Sequence, residues 1–309
     1  MINLTLPELN GLLLLDKPAG LTSFDLVRQT RNILKQKAVG HIGTLDPLAV
    51  GLMGLLLGQA TRLAEYLSGM EKTYLAVVTL GLLTETDDIT GPVVSEHSGP
   101  YPSGKEIESA LNSLAGPIAQ VPPTYSAVKV GGQRAYKAAR AGRPLDLAPR
   151  EVRLFDFKLI AYEAPQVTLW VRVSSGFYIR SLARDLGQKL GLSGGAVREL
   201  KRESIGPFEL SRALKPPFSR DEAEKCLLGP EAVLVAMPRI KVDQAGAGKI
   251  RQGRGIYLTE ENIPAVCGPK GRYKILGPDE RLVAVGRIDS EAEFEPHRPF
   301  LRPVRVFKP

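Results

Sequence analysis

The octapeptide Gly40-His41-Ile42-Gly43-Thr44-Leu45-Asp46-Pro47 sets an imidazole and a carboxylate close together in a glycine-rich stretch between apolar segments. Each residue alone is unremarkable, because Asp-Pro commonly marks a turn and a solitary histidine can be structural. Together, in a stretch that suits close approach by another molecule, they point to a carboxylate working as nucleophile or base. Such a group needs a cation beside it to stay ionised in a dry pocket. Lys17, Lys72 and Arg180 are the candidate cations. Arg180 follows the break at Gly176 in Ser174-Ser175-Gly176-Phe177-Tyr178-Ile179-Arg180-Ser181. Its planar guanidinium can hold Asp46 through two parallel hydrogen bonds. Pairing of Arg180 with Asp185 or Glu199 is the alternative that residue types leave open.

A second signal is electrostatic. Residues 109–145 contain no acid but carry Lys129, Arg134, Lys137, Arg140 and Arg143, with Tyr125 and Tyr136 between them. Pro122-Pro123 and Gly131-Gly132 predict a projecting arm rather than packed core. Cations suit phosphates and tyrosines suit bases or sugars; a solvated basic face is the plainer reading. The chain as a whole agrees in sign, with 41 lysines and arginines against 33 acids, a net charge of +8. That surplus favours a polyanion, since each contact with a phosphate releases a counterion, although solubility alone also explains it.

Other chemistries lack their residues. His41, His97 and His297 lie far apart, and Cys226 and Cys267 form no zinc-type pair. No Walker A pattern or dinucleotide fingerprint occurs, so no metal or cofactor is expected and hydride or phosphoryl transfer is disfavoured. Two cysteines fit a reducing compartment. The leucine runs 12–15 and 52–57 are too short to span a membrane, and no secretory signal is visible, so the cytoplasm is the expected location.

The elements that must position these residues read as follows. Residues 11–18 form a short buried strand ended by a proline turn. Thr22 or Ser23 caps a helix with Asp25 in its first turn and Phe24, Val27, Ile33 and Leu34 as its apolar stripe. Residues 40–58 read as a glycine-rich loop. Tyr74–Leu83 reads as a strand and 84–91 as an acidic turn. Ser103-Gly104-Lys105-Glu106 is a capping box opening a helix that ends at Gly116. Alternation at 167–173 gives a half-buried strand, and helical spacing resumes over 178–190. Prolines and glycines punctuate 216–238. Short β-rich runs follow at 255–258, 272–276 and 282–288, a compact module after a main body. With 309 residues, 43% of them hydrophobic, the chain is long enough for that division.

In this order, GLLLLDKP (11–18), GHIGTLDP (40–47), Lys72-Thr73-Tyr74, VPPTYSAVK (121–129), GFYIRS (176–181) and the segment 194–206 resemble the TruB family of tRNA pseudouridine-55 synthases. The resemblance covers residues 11 to about 210. Phe177, where the family usually has threonine, and a 191–195 turn one residue longer depart from it. It implies an α+β fold: a mixed, largely antiparallel sheet with flanking helices over residues 1–238, with a basic RNA-binding arm at about 109–147. A small C-terminal β-barrel, a PUA-like RNA-binding domain, would occupy 239–309. It also implies a cofactor-independent isomerase that converts uridine 55 in the T-arm of tRNA to pseudouridine, with tRNA folding as a second possible activity. By position, Asp46 is the nucleophile, Tyr74 stacks under the uracil and helps remove a proton, and Arg180 pairs with Asp46. His41 supports the displaced base, Tyr178 and Leu200 line the pocket, and Lys17 with Pro18 buttresses the catalytic loop. Lys129, Arg134 and Lys137 of the arm would bind tRNA. No obligate protein partner is implied, and a monomer is expected. A transglycosylase and an RNA chaperone are the competing classes.

Overall fold

The computed structural model describes residues 7–259, 271–289 and 299–308. Cys267 and His297 lie outside them. The N-terminal part contains β1 (Gly11–Lys17), α1 (Ser23–Leu34), β2 (Val39–Ile42), β3 (Val50–Leu57), α2 (Ala64–Leu67), β4 (Lys72–Leu80), β5 (Leu82–Thr84) and β6 (Val93–Glu96). Then come α3 (Gly104–Ser113), β7 (Gly116–Gln120), β8 (Lys129–Val130), β9 (Gln133–Arg134), α4 (Ala135–Arg140), β10 (Arg150–Glu163), β11 (Gln166–Val173), α5 (Ile179–Lys189), β12 (Gly195–Ile205) and β13 (Phe208–Glu209). The C-terminal part holds α6 (Arg220–Cys226), α7 (Pro230–Val233), β14 (Arg239–Lys241), α8 (Gln244–Arg251), β15 (Ile256–Tyr257), β16 (Tyr273–Leu276), β17 (Leu282–Asp289) and β18 (Phe300–Val306).

A nine-stranded sheet runs β1-β3-β12-β4-β11-β10-β7, with β2 added on β3 and β13 on β12. Every pairing in it is antiparallel except β12 with β3, so the sheet is mixed and largely antiparallel as expected. The strict alternation in β4 and β11 sorts their side chains by face. Tyr74, Ala76, Val78, Val167, Leu169, Val171 and Val173 turn inward, against Leu182, Ala183 and Leu186 of α5 and Ile107 and Leu111 of α3. Each valine, leucine or isoleucine among them contributes about 1.5–3 kcal/mol on leaving water. The other face is half open. There Trp170, the chain's single tryptophan, sits opposite Lys158 in the register, with the lysine ammonium 5.3 Å from its ring centre.

Three local expectations change. The 40–58 stretch is not one loop but β2, a short turn and β3, because Gly54 lets Ile42 pack against the strand: a Cβ there would lie 2.6 Å from the Ile42 side chain. The strand read at Tyr74–Leu83 runs instead from Lys72 to Leu80 and is interrupted at Gly81. In α1 the cap is Thr22, reciprocally bonded with Asp25, and Phe24 is 62% exposed rather than part of the stripe. With the helix opening at Ser23, the inward face falls at Ser23, Leu26, Val27, Thr30 and Leu34, and Phe24 is turned off it.

Beyond residue 238, five strands form a second sheet in the order β14-β16-β17-β18-β15, with α8 packed on it. Among the described residues its pairing is an open path, with β14 and β15 as the two edges, rather than a closed barrel. Its Leu276, Leu282, Val285 and Phe307 share one core with Leu12, Leu14, Leu56 and Leu63 of the main body. No described helix is long and apolar enough to cross a membrane.

Candidate active site

The turn between β2 and β3 carries Asp46 and is held from three sides. The Ser23 hydroxyl, at the start of α1, donates to the Leu45 carbonyl at 3.0 Å and accepts from the Leu45 N–H at 2.8 Å. The ammonium of Lys17, at the end of β1, donates to the carbonyls of Leu21 at 2.7 Å, Pro18 at 2.9 Å and Pro47 at 3.5 Å. From β12, Arg202 reaches the carbonyls of Gly43 and Thr44. Gly43 (φ +73°) and Gly51 (φ +98°) adopt the left-handed conformations that open and close the turn.

Arg180 enters from the first turn of α5. Its Nε lies 2.8 Å from Oδ2 of Asp46, and the two side chains are 6% and 35% exposed. The expected pair of parallel hydrogen bonds does not form. The Nε–H is not directed along the contact, which is therefore an ion pair. The terminal nitrogens are engaged elsewhere: one donates to the Thr86 carbonyl at 2.8 Å, the other to the Tyr125 carbonyl at 3.1 Å. Neither Asp185 nor Glu199 takes Arg180. Asp185 pairs with Arg184, while the additional carboxylate near Arg180 is Asp88, at 3.9 Å. Asp46 itself is a third open to solvent, so the dry environment expected for it requires something to cover the cleft.

Tyr74 and Leu200 are buried in the same apolar cluster as Phe177 and Leu45, the residue before Asp46. Tyr178 packs against Val128, Ala135 and Leu147 at the root of the arm, and the charges of Arg180 and Asp46 act on its phenol. Its main-chain N–H and carbonyl are both held by the Gln120 amide, at 2.8 and 3.1 Å, and burial pushes its phenol pKa up. His41 lies in β2 opposite Leu55, with a buried Nδ1 that has no hydrogen-bond partner. Burial, assisted by the Arg202 charge, lowers its pKa and favours the neutral imidazole. Burial likewise brings Lys17 and Lys72 down to about 8. Lys72 donates to the Met70 carbonyl and does not contact Asp46.

Lys129, Arg134 and Lys137 lie apart from this cluster, exposed on β8, β9 and α4. None forms an ion pair among the described residues. The segment's first part is not arm at all, since 109–113 complete α3 and 116–120 are the edge strand β7.

Sequence reasoning missed Arg202 and Gln120, and it read Ser23 only as a helix cap and 84–91 only as an acidic turn, without their contacts to Leu45 and Arg180. Arg202 left a readable trace. With Leu200 inward and Lys201 outward, strand alternation puts Arg202 inward too, and it is fully buried. A groove of about 710 Å³ lined by Asp16, Thr73, Lys201, Glu203, Ser204 and Lys215 is on the opposite face of the sheet, away from Asp46.

Comparison with known proteins bears on the family and on the fold. The family model for the N-terminal domain of TruB family pseudouridylate synthases matches residues 31–179. The tRNA pseudouridine synthase B of Dehalococcoides mccartyi is 37% identical over 300 residues, covering 96% of this chain and 98% of that protein. The protein of the same name from Xanthomonas oryzae is 38% identical over 301 residues, 94% of each. Among solved structures, a chain of a Cbf5-Nop10-Gar1 complex superposes with a TM-score of 0.72 at 24% identity, over 97% of this chain and 85% of that one, a likeness of fold. The chain belongs to the TruB family of pseudouridylate synthases.

Proposed function

We propose that this chain isomerises a uridine in tRNA, the T-arm uridine at position 55, to pseudouridine, with Asp46 as the essential carboxylate. The observation that carries the reading is the Asp46–Arg180 ion pair, with the buried ring of Tyr74 in the apolar cluster that takes in Leu45, the residue before Asp46. The reaction breaks the bond from C1′ to N1 of uracil, turns the base and joins C1′ to C5. The proton lost from C5 is matched by one gained at N1, so no oxidant or donor is consumed. The site has only to expose C1′, hold a detached base and exclude water.

The residues present supply those needs. Extruding a stacked base costs a few kcal/mol, and stacking on an aromatic ring returns ~1–3 kcal/mol; Tyr74 is the platform. Leu200 and Tyr178 wall the pocket. His41, held neutral, supports the extruded conformation without adding charge near the base. Arg180 supplies the countercharge to Asp46 as RNA closes over its exposed edge. Lys129, Arg134 and Lys137 are free to take phosphates, and the division at residue 238, with a PUA-like C-terminal module as a second RNA contact, follows the two sheets. The enzyme would act as a monomer in the cytoplasm.

Tritium release from a tRNA transcript bearing [5-³H]uridine tests this. Asp46→Asn is expected to bind tRNA within about twofold of the parent and to lose at least about a thousandfold in rate. Substantial pseudouridine from that variant, once deamidation has been excluded by mass, would refute the role of Asp46.

A further inference from the structure

Arg202 is wholly buried, yet its hydrogen-bond partners are all uncharged. Nε donates to the Leu52 carbonyl at 2.7 Å, one terminal nitrogen donates to the Gly43 carbonyl at 3.1 Å, and the other approaches the Thr44 carbonyl at 3.5 Å. Among the described residues it forms no ion pair. A buried guanidinium without a carboxylate costs stability, and an apolar side chain of similar volume would cost less. Stability therefore does not explain the residue.

What it holds does. Gly43 and Thr44 lead into the turn that carries Asp46, and Leu52 stands in β3 just after it. One rigid, planar fork ties the two legs of that turn together. The glycines at both ends are fitted to the same residue. A Cβ on Gly43 would stand 3.3 Å from the guanidinium, and one on Gly51 would come within 2.4 Å of the Arg202 carbonyl oxygen. In the β12–β4 register Arg202 is directly opposite Tyr74, so it also borders the aromatic platform. Lys17 and Lys72 face it from β1 and β4 and His41 from β2, and its charge adds to the burial that lowers the pKa of all three. Lysine cannot replace it in kind, because a single ammonium is a point donor and lacks the span of the fork.

We propose that Arg202 is a positioning residue for pseudouridine formation, clamping Gly43, Thr44 and Leu52 so that Asp46 is presented against Arg180. This rests on the isomerase reading above. It places a requirement on the step that follows tRNA binding, not on binding itself.

The test uses the full chain with enzyme in excess over [5-³H]uridine tRNA, measuring the single-turnover rate, tRNA affinity by filter binding, and thermal melting for Arg202→Lys and Arg202→Met. Both variants are expected to bind tRNA within twofold of the parent while the rate falls at least about thirtyfold. Arg202→Lys, which keeps a buried cation and most of the stem, is the deciding variant. Its rate remaining within threefold of the parent would overturn the proposal, since charge alone would then suffice. An equal loss of affinity and rate, or loss of its melting transition, would also overturn it by assigning Arg202 to binding or to folding. Absence of tritium release from the parent chain would instead remove the isomerase reading.

Discussion

Lys17 is fully buried with an ammonium that serves three carbonyls. Burial lowers its pKa to about 8; the negative charge of Asp46 opposes that shift, and Arg202 adds to it. The folded value lies below the unfolded one, so below about pH 8 both states are protonated and the burial penalty is fully felt. Between about 8 and 10.5 only the unfolded chain holds the proton, and the penalty is relieved as pH rises. The stability of the parent relative to Lys17→Met is therefore expected to increase between pH 7 and pH 9.5 in urea melts; an unchanged difference would mean that the folded chain keeps the Lys17 proton throughout that range and that burial does not lower its pKa. At this scale the sequence pointed to two residues that the fold pairs, since an acid in a glycine-rich turn and an arginine after a break are chemically specific. It did not disclose geometry. Each of the three Arg180 nitrogens is held by a different segment, Asp46, Thr86 and Tyr125, and contacts between positions so far apart leave no local pattern.

Among the elements, capping was the most legible feature. Ser103 and Glu106 form their reciprocal box as the sequence indicates, because that motif is satisfied within four residues. The glycine-rich stretch was the least legible. Its glycines read as freedom, whereas at Gly51 they serve close packing between β3 and β12. A contrast between two glycines checks this. Gly51→Ala combines a left-handed φ of +98° with a contact of 2.4 Å to Arg202 main chain, and is expected to cost at least ~1–3 kcal/mol. Gly69→Ala meets nothing within 4 Å and should stay within about 0.5 kcal/mol of the parent. Equal effects in equilibrium unfolding would show that the strand contact is not what Gly51 provides. The basic segment illustrates the same limit: its charge was evident, but β7 pairs with β10, which lies beyond the arm in sequence, so the arm's start at residue 121 was not.

For the molecule as a whole, a second run of short strands after residue 238 was readable from punctuation and strand length, and those strands form their own sheet. How tightly that sheet joins the main body was not readable. Gln59 and Lys308 exchange two hydrogen bonds, Arg62 donates to the Val306 carbonyl, and Arg305 pairs with Glu65. Beneath these, Phe307 enters the shared core at 3% exposure. Phe307→Ala is expected to cost ~3–5 kcal/mol and to shift one cooperative urea transition rather than split it. Two separated transitions in the parent chain would contradict a shared core.

The placement of Trp170 has a practical consequence for such experiments. The indole lies on the sheet surface turned away from Tyr74 and Asp46, beneath the Lys158 ammonium. The single indole is thus a probe of the central strands set on the face of the sheet opposite the Asp46 cleft.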